Sequence, residues 1–66
     1  MVVFQLKNNA VVNVHMVVAA DRFGDDGIRI WIHAKQEPVA MKYDSAQERD
    51  EAFNKLVDLM GRASAV

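Results

Sequence analysis

Cysteine is absent from the 66 residues, so neither a disulfide nor a thiolate metal site can hold this chain together. Histidine occurs twice, at His15 and His33, which is thin material for a structural metal. Glycine is confined to Gly24, Gly27 and Gly61, and none of them belongs to a phosphate-cradling loop. Charge of either sign is not in excess: eight Lys and Arg stand against nine Asp and Glu, a net charge of −1. The overall basicity that draws a chain to nucleic acid or an anionic membrane is therefore missing. The longest uncharged run, Asn8 to Ala20, contains polar residues and is too short to span a bilayer. The start, MVVFQLKNN, lacks the basic opening, long apolar middle and small-residue cleavage site of a signal peptide. A cytoplasmic protein with no membrane association is the resulting expectation.

What is present in quantity is apolar residues, 52 % of the chain. A chain this short buries only roughly 60 % of the surface that its unfolded form exposes, so its core is marginal. Small scaffolds reach useful stability through disulfides, metals or self-association. With the first excluded and the second poorly supplied, a homo-oligomer is expected, most simply a two-fold dimer.

Val2 to Lys7 alternates as a strand, and Asn8-Asn9 offers the positive-φ residues of a two-residue hairpin turn. The apolar run that follows, AVVNVHMVVAADRF, is too long for one ordinary strand. An interruption is expected near Asn13-Val14-His15-Met16, as a bulge or a tight turn, with Asn13 as the residue that lets the strand bend. A single strongly bent strand is the competing reading. Met16 to Phe23 would be a third strand, Gly24-Asp25-Asp26-Gly27 a turn, and Ile28 to Lys35 a fourth strand. Gln36-Glu37-Pro38 breaks it, and Val39 to Tyr43 is the last strand.

Then the period changes. Ser45-Ala46-Gln47-Glu48 has the form of a capping box. Ala52, Phe53, Leu56, Val57, Leu59 and Met60 follow at helical spacing, with Arg49, Asp50, Glu51, Lys55 and Asp58 largely opposite. Gly61 stands where a left-handed helix terminus belongs, with Arg62 at the negative end of the dipole. The expected fold is α+β: an antiparallel meander sheet of four to five strands with one C-terminal helix packed on one face. One domain covers residues 1–62, and residues 63–66 form a frayed tail. The ending, a strand leading into KYDSAQERDEAFNKL, is similar to the way pleckstrin-homology-like domains end. That likeness covers about a third of the chain and carries over no family residue.

The run GIRIWIHAK raises the functional question. Alternation puts Ile28, Ile30 and Ile32 on one face and Arg29, Trp31, His33 and Lys35 on the other. A single helix covers one side of a sheet, so the only tryptophan is expected on the open side, with Lys42 and, by register, Gln5 and Lys7. Valines such as Val3 or Val11 are expected beside it. Self-association is the plainest use of such a face, because a second subunit would bury the indole. A sharper reading is a single-stranded nucleic-acid module, in which Trp31 stacks a base while Arg29, Lys35 and Lys42 meet phosphates. A third is docking of a peptide or partner protein, an extended segment adding to an exposed strand edge.

Catalysis finds no constellation. Ser45 is explained as a helix cap, no nucleophile accompanies the two imidazoles, and DRFGDD lacks the alternate ligands and closing glutamate of a calcium loop. His15 and His33 completed by Asp21 is a conceivable zinc set that the spacing does not favour. The sequence is read as a non-enzymatic protein without cofactor or metal.

Overall fold

The computed structural model describes residues 2–7 and 9–64. Five strands and one helix follow in order: β1 (Val3–Gln5), β2 (Val11–Asn13), β3 (Val17–Phe23), β4 (Gly27–Ile32), β5 (Val39–Lys42) and α1 (Ala46–Ser64). The α+β class and the C-terminal helix are as expected. The strands do not form one meander sheet. They divide into a two-stranded antiparallel sheet, β1-β2, and a three-stranded antiparallel sheet, β3-β4-β5.

The division falls where the long apolar run was expected to break. Val14–Met16 is a single 3-10 turn, and Asn13 opens it by accepting the His15 amide on its side-chain oxygen at 3.0 Å. That asparagine replaces a ladder bond with a local one, which is why the chain turns there. The corner does not strand the backbone. Val14 N–H still donates to Val2 O at 2.9 Å, and Met16 O accepts from His33 N–H at 2.7 Å. Val14 itself turns inward and is buried, so the bend stays attached to the core.

The β1-β2 connection spans positions 7–9, one residue more than a two-residue turn. Leu6 N–H donates to Ala10 O at 2.7 Å, Asn9 N–H to Leu6 O at 3.2 Å, and Asn9 adopts φ 67°. A turn followed by one left-handed residue is the usual three-residue hairpin, and asparagine tolerates that φ. Asn8, the other half of the expected turn, lies outside the described residues.

Phe4, Val12, Val14, Val17, Ile28, Ile30, Met41 and Leu56 form one buried cluster drawn from both sheets and the helix. Ala52, Phe53, Leu59, Met60 and Ala63 pack against it, spaced along one side of α1. Ser45 caps the helix, its hydroxyl accepting the Glu48 amide at 3.1 Å, while the Glu48 carboxylate lies 4.0 Å from Lys7 Nζ. The helix does not stop at Gly61. It runs on to Ser64, and Ala63, expected in a frayed tail, packs on the core. Residues 65 and 66 lie outside the described residues.

Two helix positions differ from their expected sides. Val57 is exposed, and Arg49 is buried. Arg49 falls on the same helical stripe as Ala52, Phe53 and Leu56, so its stem lies inward, and its guanidinium reaches the β3-β4 turn. Nη1 donates to Gly24 O and to Gly27 O, each at 3.2 Å, and Nε to Asp50 Oδ1 at 2.7 Å. Among the described residues no helix is long and apolar enough to cross a membrane.

Candidate functional site

The helix covers the face of the three-stranded sheet that carries Ile28 and Ile30, both with no accessible surface. Directly paired residues share a face, and alternate residues along a strand share it too. The pairs Ala19↔Trp31, Asp21↔Arg29 and Phe23↔Gly27 therefore lie on the opposite, open face. Ala40, opposite Arg29, and Lys42, opposite Gly27, complete it. Trp31 is half-buried and takes no part in the core cluster, so the indole is on the open side as expected.

Arg29 organises this surface. Its Nε donates to Asp21 Oδ1 at 3.0 Å and its Nη2 to Asp21 Oδ2 at 2.5 Å, a two-pronged pairing that fixes the guanidinium plane. The same group lies 4.9 Å from the Phe23 ring centre and 5.0 Å from that of Trp31. A cation held between two aromatic faces is attracted by both ring quadrupoles. The hydrogen bonds from Arg29 hold the Asp21 carboxyl below its ordinary value; desolvation opposes them less strongly, and the charge of Arg29 adds a still smaller lowering. Arg29 is held above its own ordinary value for the reciprocal reason.

Relief on this face is uneven. Phe23 is 54 % exposed, the largest apolar projection on it. Gly27 has no side chain, and Ala40 beside it has a short one. A hollow of about 250 Å³ lies there, lined by Phe23, Gly27, Ala40 and Lys42 among others. Gly27 is required for close packing: a Cβ there would sit 2.6 Å from Phe23 O and 3.4 Å from the Phe23 ring. The aromatic ring thus leans across the strand pair over the glycine.

His33 and Lys35 do not continue the strand. β4 ends at Ile32, and both residues are exposed in the connection to β5, where Ala34 takes φ 70° and turns the chain. Arg29, Trp31 and Lys42 thus share this face by register, whereas His33 and Lys35 lie beyond the end of the strand. Gln5 and Lys7 belong elsewhere, Gln5 in the other sheet and Lys7 beside Asp44 at 3.5 Å and over the Tyr43 ring at 5.5 Å. Val3 and Val11 are exposed in the two-stranded sheet rather than paired beside Trp31. Two residues of the face went unrecognised, Asp21 and Phe23. Only the cross-strand register brings them to Arg29, and no local pattern within DRFG announces it.

His15 lies in the 3-10 turn and is exposed like His33, while Asp21 gives both oxygens to Arg29. No group of three or more metal-ligating side chains occurs among the described residues. A second concavity, about 490 Å³, runs beside β1 and is lined by Val3, Leu6, Tyr43, Ala52 and Lys55 among others. Burial there pushes the Tyr43 hydroxyl above its usual range. No family model, curated protein or solved structure matches the chain. The likeness to the ending of pleckstrin-homology-like domains stays a likeness of one strand and one helix.

Proposed function

We propose that this protein is a non-enzymatic binding and assembly module that self-associates through the open face of its three-stranded sheet. The observation that supports this best is the aromatic pair on that face, Phe23 at 54 % exposure and Trp31 half-buried, both away from the core. Fully burying one such ring stabilises by about 1.5–3 kcal/mol, a strong inducement for a chain with so small a core. Light scattering over a wide concentration range is expected to show a rise from one chain mass to two. Trp31→Ala is expected to raise the dissociation constant at least about thirtyfold, the loss of about 2 kcal/mol typical of a central aromatic anchor. A wild-type protein that stays monomeric throughout refutes the proposal.

A single-stranded nucleic-acid module is the second reading, supported by two aromatic rings and Lys42 on one sheet face. It is the weaker one because Arg29, its best cation for phosphate, is already satisfied by Asp21. Oligonucleotide quenching of Trp31 fluorescence that fades with added salt would support it, and no quenching at low salt excludes it.

A further inference from the structure

The two-stranded sheet has a free edge, and a furrow runs along it. Val14 N–H donates to Val2 O and Leu6 N–H to Ala10 O, so Val2, Phe4 and Leu6 turn their backbone groups toward β2. Backbone groups alternate in direction along an antiparallel strand, so those of Val3 and Gln5 point out of the sheet. Among the described residues β2 is the only strand that pairs with β1, which leaves these outward amides and carbonyls without a ladder.

The concavity of about 490 Å³ follows this edge. Five consecutive residues, Val3, Phe4, Gln5, Leu6 and Lys7, line it, so it touches both faces of the strand along its side. Tyr43, Ala52 and Lys55 also line it. A smaller hollow of about 300 Å³ shares Leu6 and Lys7 with it and extends past Val39–Lys42, an edge strand of the other sheet. Lys7, Lys42 and Lys55 line the two hollows, and no carboxylate does. Lys7 shares its charge with Asp44 at 3.5 Å and Glu48 at 4.0 Å. Lys42 and Lys55 are exposed and form no ion pair among the described residues. We propose that this furrow receives an extended acidic segment of a partner protein, which adds to β1 as a third strand.

Each part of such a segment meets a matching part of the furrow. Its backbone completes the ladder at Val3 and Gln5. Alternate side chains fall on the face of Phe4 and Leu6, beside the core-packed Tyr43 and Ala52, where apolar groups are favoured. The others fall on the face of Val3, Gln5 and Lys7, where a carboxylate meets the lysine. Lys42 and Lys55 add positive charge to the same furrow. A second copy of this chain is the poorer occupant. Neither residues 2–7 nor residues 39–42 contain an acid, so copies paired through these edges bring lysine without a counter-charge. Edge lysines discourage self-pairing in this way, and an acidic strand turns the same charge into attraction.

β1 belongs to the smaller sheet, so the test does not depend on what covers the open face of the larger one. The probe is a short synthetic peptide of alternating Val and Glu, blocked at both ends and added to isotope-labelled protein. The Val3 and Gln5 amides are expected to shift and to exchange hydrogen at least about tenfold more slowly. N-methylating one alternate set of peptide residues is expected to abolish binding while the other set tolerates it, because an added strand uses one edge only. Lys55→Glu is expected to weaken binding at least about fivefold with the thermal melt unchanged. Undisturbed Val3 and Gln5 amides, equal binding by the two methylated forms, or equal binding by a peptide with Lys in place of Glu overturns the proposal. So do Val3 and Gln5 amides that respond to protein concentration alone and not to peptide, an outcome that assigns the edge to a second copy.

Discussion

Arg49 is the buried ion of this small core, and its removal tests how the helix is tied to the sheet. It is 8 % exposed, and its guanidinium makes three contacts, two of which link the first turn of α1 to the β3-β4 turn while the third is to Asp50 in the helix itself. Arg49→Met keeps the apolar stem packed and deletes only the charged fork. The three bonds do not count equally. Gly24 is exposed, so water replaces the bond to its carbonyl. Asp50 is 48 % exposed and keeps Arg22 at 3.4 Å. The bond to Gly27 O is buried, and it is there that a charge-assisted hydrogen bond is worth its full value, about 1.5–3 kcal/mol.

Arg49→Met is therefore expected to lower stability by about 2 kcal/mol. A domain of this length has about 3–10 kcal/mol in total, and the loss corresponds to a fall in Tm of about 8–16 °C. Urea titration followed by far-UV circular dichroism measures it. Because Phe23 and Gly27 flank the turn that Arg49 holds, the same variant is expected to weaken self-association as well. Stability within about 0.5 kcal/mol of wild type would show that the buried bond contributes nothing beyond its exposed neighbours, and the reasoning fails.

Ala34 adopts φ 70°, a conformation that costs an L-residue roughly 1–2 kcal/mol. Ala34→Gly is expected to gain about 0.5–1 kcal/mol after the extra chain entropy of glycine is deducted, read as a higher urea midpoint. Acid acts on Asp21. Its carboxyl is held below its unfolded value in the native state, so the stability it contributes is complete above the unfolded pKa and is lost as pH falls through the native one. Asp21→Asn is expected to flatten the acid limb of stability against pH, and an unchanged limb would mean that other carboxylates carry it.

The elements were legible where a side-chain period coincided with a terminator. The Ser45 cap, the apolar stripe of α1 and the glycine-flanked turn each pair a pattern with its stop signal. The break at Asn13 was legible for a different reason, since one polar residue interrupted a run too long for a strand. The division into two sheets was not, because it depends on which partner each half of the bent run finds. Gly61 misled for lack of context: with no backbone approaching it, a glycine in a helix is tolerated when Ala63 beyond it has core to pack on. Arg49 misled because charge suggested solvent while its stripe position led inward. At the site, Trp31 and Arg29 followed from alternation along one strand. Phe23 and Asp21 required the register between strands, which a hairpin loop fixes only once its length is known.

The Arg29 stack bears on how tightly two copies can hold. In the monomer the guanidinium already shields Phe23 and Trp31, and two exposed cation–π contacts are worth together about 1–2 kcal/mol. Phe23 is 54 % exposed and Trp31 is already half-buried, so covering what remains of both rings is worth no more than about 1.5–3 kcal/mol per chain, and the stack lowers that drive further. Against the gain from both chains stands about 4–15 kcal/mol of lost translational and rotational freedom. The two rings by themselves therefore support only a weak dimer, formed and released as concentration changes. Sedimentation or light scattering from about 1 μM to 1 mM brackets it. A nanomolar constant would require far more buried surface than one three-stranded face supplies, and would move the interface to include the exposed valines of β1 and β2.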